Sequence, residues 1–154
     1  DLAFVSLNAV PNTPGVAARI FAEVARNHIV VDDIVQNIYD GGKFANLGFS
    51  TNAADAAEAR MVCEQLAVSL GIGGVEVDEG VSKVSAVGVG MRTHTGIAST
   101  MFEAIANAEI NIENISTSEI VISCIVRRAD GPKALRFIHD AFHLGEVSNR
   151  TASN

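Results

Sequence analysis

The sequence contains one pattern twice, as VPNTPGVAARIFAEVARNHIVVDDI at residues 10–34 and as MRTHTGIASTMFEAIANAEINIENI at residues 91–115. A shift of 81 positions superimposes the two copies. Among the identical residues that it aligns are Gly15 with Gly96, Ala17 with Ala98, Phe21 with Phe102, Ala25 with Ala106, Ile29 with Ile110 and Ile34 with Ile115. Similarity at one fixed period indicates a repeated structural unit, and duplication is its simplest explanation.

Each copy predicts the element order β-α-β-β-α. A strand rich in Val and Ala comes first, and a helix follows whose apolar residues recur at i, i+3, i+4, i+7 and i+8. Such an apolar stripe must pack on a sheet. The first copy gives strands at 3–10, 30–38 and 44–49 with a second helix at 55–70, and the second copy gives strands at 84–91, 110–116 and 120–126 with a second helix at 130–144.

The fold class follows from this order. Residues 75–77 offer the first copy a fourth strand, whereas the polar residues after 145 offer the second copy none. Either the second sheet stays short, or a segment upstream of Asp1 completes it. The pattern predicts an α+β fold with two ferredoxin-like βαββαβ domains paired through their sheets. We expect a first domain at residues 1–80, a second at 81–145 and a polar, disordered tail at 146–154.

Composition excludes several classes of protein. The 11 basic and 18 acidic residues give a net charge of -7, and aromatic residues make up 5% of the chain, so a nucleic-acid partner is not expected. No apolar run approaches the roughly 20 residues that span a bilayer, and no signal-peptide pattern opens the chain. These features predict a cytoplasmic protein without a membrane partner. Cys63 and Cys124 lie in apolar segments, which predicts buried free thiols.

The turns at residues 12–17 and 93–98 are candidate binding sites, because each one opens a helix. The N-terminus of a helix exposes unpaired N–H groups and the positive end of the helix dipole, which together suit a carboxylate. Glycine in the turn lets a ligand approach the backbone, and Asn12 or Thr13 is available as the N-cap of the first helix. The alternative is that these residues only shape a turn. Repetition of the turn in both copies argues against it.

Polar side chains also interrupt the apolar strands. Residues 116–119 place hydroxyl groups and a carboxylate where they would receive an ammonium group. Gln36 and Asn37 occupy the equivalent of Thr117 and Ser118 in the first copy. A polar ligand explains both sets, and so does a solvated turn or a hydrogen bond between strands.

Nothing in the sequence requires catalysis or a metal. His139 and His143 lie four residues apart on a helix, but Asp140 follows where a metalloprotease motif has Glu, and no third ligand is evident. The Gly88-Val89-Gly90 segment lacks the third glycine of a dinucleotide-binding fingerprint. No coupled nucleophile and base can be named. We therefore predict no catalytic residue and no metal site.

Motifs in both copies resemble the regulatory region of aspartate kinases, which carries tandem ACT domains. They cover most of residues 3–144. They are TPGVAARIF (13–21) and IVQN (34–37) in the first copy, and VGVGM (87–91), HTGIA (94–98), NI (111–112) and ISTSEI (115–120) in the second. The resemblance implies that the two ferredoxin-like domains are ACT domains.

The resemblance also implies a function. The family phosphorylates the carboxyl group of aspartate with ATP, the first step toward lysine, threonine and methionine, and lysine or threonine inhibits it by feedback. This chain alone is expected to be inactive as a kinase and to need no cofactor, with ATP and Mg confined to a kinase domain. Its expected partners are free lysine or threonine, a second copy in a homodimer through ACT domains, and a kinase domain or catalytic subunit. An excised region and a separate regulatory subunit both remain open.

Two effector sites follow from the resemblance. In such sites the helix start holds the carboxylate of the effector, while side chains and strand carbonyls hold its ammonium group. Either Glu119 or Glu113 would favour a lysine side chain. The first site would use Asn12, Gly15, Val16, Ala17 and Gln36, with the backbone of Asn111 and Ile112 from the facing repeat. The second would use Thr93, His94, Gly96, Ile97, Ala98, Ser118 and Glu119, faced by Val30 and Val31.

Two residues depart from the pattern of the family. Family members usually carry Asp where Asn12 stands, so the first site keeps an acceptor but loses a full negative charge, which is expected to weaken ammonium binding. Thr95 replaces a proline, and we expect this change to matter less. The rival hypothesis is an ACT-type oligomerisation module without its own effector, and an enzyme of ferredoxin-like fold ranks below both.

Overall fold

The computed structural model describes residues 1–88, 93–118 and 120–151, and for residue 94 and residues 144–151 it describes the backbone alone. The predicted site residue Glu119 and the strand end at 89–91 lie outside the described residues, as do residues 152–154. The chain divides into two compact units, residues 1–79 and 80–154. Among the residues that are described, no helix is both long and apolar enough to cross a bilayer.

The first unit has the order β-α-β-β-α-β. Its strands follow one another as β2-β3-β1-β4 across the sheet, with β3 antiparallel to both β1 and β2. A tight turn at Asp40–Gly42 precedes β3, and a short 3-10 turn at Ala53–Asp55 precedes the second helix of the unit. The elements are β1 (Leu2–Pro11), α1 (Val16–Arg26), β2 (Asp32–Tyr39), β3 (Phe44–Asn52), α2 (Ala56–Leu70) and the first part of β4 (Gly74–Val87).

The core of the first unit lies between its helices and one face of its sheet. Alternate residues of β1 point inward, so Val5 and Leu7 are fully buried. Ile20 and Val24 form the buried stripe of α1, as their spacing of four predicts. The ring of Phe21 on α1 meets that of Phe49 on β3 edge-on, with 5.9 Å between the ring centroids. This contact fixes α1 over the half of the sheet that contains β3.

The second unit repeats this plan up to its second helix. It consists of the later part of β4, α3 (His94–Asn107), β5 (Asn114–Thr117), β6 (Val121–Arg127) and α4 (Gly131–Thr151). The strand order is β4-β6-β5, with β6 antiparallel to both neighbours. Its core has equivalent members. The shift of 81 aligns Met101 and Ile105 on α3 with Ile20 and Val24 on α1, and both are buried as well. Both units therefore have the ferredoxin-like arrangement that the repeat predicted.

Two boundaries differ from the sequence prediction. The strand expected at residues 75–77 and the strand expected from residue 84 form one continuous strand, β4. The polar tail expected from residue 146 is helical as far as Thr151. Polarity predicts that a segment is not buried, but a helix satisfies its own backbone hydrogen bonds and can continue through polar residues.

Candidate functional site

The opening of α1 is shaped by Pro14 and Gly15. Gly15 is the N-cap, with a left-handed backbone (φ 90°), and the described residues provide no side-chain cap for this helix. Proline disfavours helical backbone at Thr13, and Gly15 is itself left-handed, so the helix begins only at Val16. The prediction that Asn12 or Thr13 caps α1 is therefore wrong. Gly15 and Ala17 are exposed. The backbone N–H of Val16 donates to the carbonyl oxygen of Thr13 at 3.3 Å, and among the described residues no side chain caps the rest of the first turn.

Asn12 contacts the β2–β3 turn instead of the helix. Its side-chain Nδ2 donates a hydrogen bond to the carbonyl oxygen of Gly42 at 2.8 Å. Its backbone N–H donates to the carbonyl oxygen of Lys43 at 2.9 Å. Sequence reasoning missed this contact, although the Asp40-Gly41-Gly42 run marked the turn that receives it. Asn12 thus links the turn to the segment that leads into α1.

Gln36 lies on the edge strand β2, on the face of the sheet that carries the helices. It pairs with Leu47, which pairs with Leu7, and both leucines are buried under the helices. Directly paired residues of antiparallel strands share a face, so the exposed Gln36 side chain projects from the face that carries the helices. Its neighbour Asn37 projects to the opposite face. This placement is compatible with a ligand held between α1 and β2.

The opening of α3 has a different geometry. Thr93 is an extended N-cap residue, and its Oγ1 accepts a hydrogen bond from the backbone N–H of Gly96 at 3.0 Å. When the two copies are aligned by the shift of 81, α3 begins three residues earlier than α1. Thr95 permits the helical turn that Pro14, at the same repeat position, prevents. Ile97 is 4% exposed and belongs to the core. Thr93 therefore already occupies one of the N–H groups that a carboxylate would bind.

The polar residues of the β5–β6 turn also have partners. Ser118 Oγ accepts the backbone N–H of Val121 at 3.1 Å, and the backbone N–H of Ser118 donates to the carbonyl of Val121 at 2.8 Å. Ser118 thus helps to close the turn, as the alternative interpretation of this segment has it. Glu113 forms an ion pair with Arg127, whose Nη1 lies 3.2 Å from Oε1. That pairing reduces the ability of Glu113 to attract a lysine side chain.

The backbone segments expected to face the two sites each precede an edge strand. Val30 and Val31 lead into β2, and Asn111 and Ile112 lie shortly before β5. The carbonyl oxygen of Val30 accepts a hydrogen bond from Oγ1 of Thr51 at 2.7 Å. One lone pair of that carbonyl is therefore used inside the first unit.

The comparison with known proteins decides the family. The ACT domain family profile matches residues 84–142. The crystal structure of the regulatory subunit of aspartate kinase from Thermus thermophilus, in its ligand-free form, is 34% identical, with a TM-score of 0.83 and coverage of 92% of this chain and 93% of that one. This chain belongs to the aspartate kinase family. It matches the ACT-domain regulatory part of that family, as its sequence motifs predicted.

Longer aspartate kinases contain the same region. The aspartate kinase Ask_LysC of Stutzerimonas stutzeri is 39% identical over 152 residues, which make up 99% of this chain and 37% of that protein. The aspartate kinase of Synechocystis is 37% identical, with a TM-score of 0.85, and the match covers 94% of this chain and 26% of that one. This aspartokinase regulatory region thus spans little more than a third of the Stutzerimonas relative.

Neither cysteine of the regulatory region is suited to nucleophilic chemistry. Burial raises the pKa of the Cys63 and Cys124 thiols from 9.0 to about 11. Both thiols are therefore neutral near pH 7, and the thiolate is the reactive form. In the described parts of the chain, no group of three or more His, Cys, Asp or Glu residues comes together as a metal site would require.

A groove that sequence reasoning did not foresee lies in the second unit, between β4 and α4. It encloses about 300 Å³ and is lined by Ser85, Ala86, Val87, Leu135, Ile138, His139, Phe142 and His143. The rings of His139 and His143 lie parallel along its rim, with 6.0 Å between their centroids. None of the predicted effector-binding residues lines this groove.

Proposed function

We propose that this regulatory region binds a free amino acid, lysine or threonine, and that binding leads to feedback inhibition of an aspartate kinase. The opening of α1 carries the proposal. It combines a left-handed Gly15, an exposed Ala17 in the first turn and, among described residues, no side-chain cap. Such an opening binds a carboxylate through its N–H groups and the helix dipole. Gln36 on the adjacent edge strand offers a side-chain amide oxygen to an ammonium group.

Threonine is the better candidate for the first site. A lysine effector adds a second positive charge, which needs a carboxylate that is not already neutralised. Asn12 is neutral, and none of the residues predicted for this site carries a carboxylate. This favours an effector with a neutral side chain. The second site has a capped helix opening, so an effector there would replace the hydrogen bond from Gly96 to Thr93.

The proposal extends to the longer protein. The curated relatives are aspartate kinases, and the Thermus protein is a regulatory subunit of aspartate kinase. We infer that the partner of this region is a catalytic part that phosphorylates the aspartate carboxyl group with ATP. Inhibition requires two states of the assembly that the effector distinguishes.

Titration calorimetry on the 154-residue chain tests the binding step. We expect saturable heat from threonine and little from threoninamide, because the amide lacks the carboxylate that the α1 opening holds. Melting temperatures should rise with threonine once its concentration exceeds the dissociation constant. If no common amino acid produces heat or a higher melting temperature, the proposal fails.

Gln36→Ala and Asn37→Ala form a matched pair, since the two exposed residues are adjacent on β2 but project to opposite faces. We expect Gln36→Ala to weaken threonine binding about two- to tenfold, the range for one lost hydrogen bond. Asn37→Ala should leave the affinity unchanged. Equal losses in both variants would show that Gln36 does not contact the ligand.

Oligomerisation is a second candidate function, and the edge strands favour it. Ile34 on β2 is 56% exposed, and the equivalent Ile115 on β5 is 46% exposed. Apolar side chains on open sheet edges favour association with another strand. Sedimentation with and without threonine separates the candidates, because a pure oligomerisation module would associate equally in both conditions.

A further inference from the structure

The β2–β3 turn has an uncommon backbone conformation. Three consecutive residues are left-handed: Asp40 (φ 53°), Gly41 (φ 63°) and Gly42 (φ 90°). Glycine adopts this conformation readily, but an aspartate seldom does. Runs of this kind persist where surrounding contacts fix them. The backbone N–H of Lys43 donates to the carbonyl of Asp40 at 3.2 Å, which closes the turn from within.

Asn12 supplies a contact from outside the hairpin. Its side-chain amide and its backbone N–H donate to the successive carbonyls of Gly42 and Lys43, at 2.8 and 2.9 Å. Two donors from one residue define both the position and the orientation of the turn. Three positions further along the chain, the left-handed Gly15 begins the opening of α1. Asn12 therefore connects the turn directly to the segment that shapes this opening.

The equivalent residue of the second repeat has a different role. A shift of 81 places Thr93 at the position of Asn12. Thr93 Oγ1 accepts the N–H of Gly96 in its own helix, so it acts as a helix cap. The same repeat position thus acts as a donor to the hairpin in the first unit and as an acceptor within the helix in the second.

We infer that Asn12 is a positioning residue of the first effector site, which holds the β2–β3 turn against the α1 opening by donating hydrogen bonds. This inference rests on the proposed function of the site. It replaces the expectation that Asn12 accepts a hydrogen bond from the ammonium group of the effector. The two roles respond differently to a carboxylate at this position: aspartate lacks the Nδ2 donor that Gly42 accepts from, but it binds an ammonium group more strongly than an amide oxygen does.

Asn12→Asp and Asn12→Ala distinguish the roles when threonine affinity is measured by calorimetry. If Asn12 positions the turn, both variants lose the donor, and both should bind threonine about two- to tenfold more weakly. The aspartate variant should bind no better than the alanine variant, since its carboxylate faces the carbonyl oxygen of Gly42. If Asn12 instead contacts the ammonium group, Asn12→Asp binds at least as well as the wild type, and the inference is overturned.

Hydrogen exchange in the absence of ligand provides a readout that does not depend on effector binding. Peptides that cover residues 39–44 should exchange about two- to tenfold faster in both Asn12 variants, the range for one lost hydrogen bond. Thr93→Val is the matched control, and it should leave exchange at residues 39–44 unchanged. Unaltered exchange in the Asn12 variants would overturn the inference even if threonine binds. If the wild type binds no amino acid but the variants exchange faster, the proposed function fails while the contact from Asn12 to the turn stands.

Discussion

At the scale of single residues, the buried thiols make stability depend on pH above neutrality. The folded pKa of Cys63 and Cys124 is raised from 9.0 to about 11, so their neutral forms stabilise the fold. This contribution is fully present below pH 9 and is lost as the pH rises through 11. The reason is that the unfolded chain releases its thiol protons near pH 9, whereas the folded protein keeps them until about pH 11. Each unit of pKa difference between the folded and unfolded states corresponds to about 1.4 kcal/mol in the free energy of unfolding, so each thiol accounts for a loss of about 3 kcal/mol.

Urea unfolding at pH 8, 9, 10 and 11 checks this expectation. The Cys63→Ala/Cys124→Ala double variant serves as the comparison, since other titrating groups are common to both proteins. The free energy of unfolding should fall more steeply with pH in the wild type than in the double variant. Parallel curves would mean that the thiols ionise in the folded protein as they do in the unfolded chain.

Single-residue roles were only partly accessible from the sequence. The motif at 12–17 identified a helix opening, and the family resemblance grouped Gln36 with it. The partners of Asn12, Ser118 and Glu113 were not accessible, because hydrogen bonds between residues distant in sequence depend on how the elements pack. The Glu113–Arg127 pair, for example, requires the register of β5 against β6.

At the scale of secondary-structure elements, two threonine hydroxyl groups of α3 should differ in how much they stabilise the helix. Thr93→Val removes the cap of α3 and should lower the free energy of unfolding by about 1 kcal/mol. Thr100→Val is a matched control on the same helix, where the hydroxyl donates to the carbonyl of Gly96 and leaves no N–H without a partner when removed. Chemical denaturation should show a smaller change, within about 0.5 kcal/mol, for Thr100→Val. Equal losses would indicate that the Thr93 cap does not stabilise α3.

The elements themselves were predictable where hydrophobic periodicity is strong. The stripes of α1 and α3 and the alternation of β1 required burial on one face, whatever the details of packing. Element ends were less predictable, because they depend on local chemistry. Pro14 and Gly15 delay the start of α1, whereas Thr93 and Thr95 allow α3 to begin a turn earlier.

At the scale of the whole molecule, duplication gave two units with the same core and different surfaces. Apolar positions retained their pattern across the shift of 81, since each unit must fill an equivalent space between helices and sheet. Positions at the helix openings were free to diverge, and Asn12 and Thr93 now make different contacts. The proposed effector sites are therefore expected to be unequal in affinity and in the amino acid they select.

Association of the whole chain should depend on its open strand edges. Ile34→Lys places a charge on the exposed edge strand β2, where it would oppose pairing with another strand. Val68→Lys is the matched control, because Val68 is 89% exposed on α2 and lies away from any strand edge. Sedimentation velocity should show Ile34→Lys shifted toward the monomer by comparison with the wild type, with Val68→Lys unchanged. If both variants sediment like an associated wild type, the β2 edge is not the surface through which copies of this regulatory region meet.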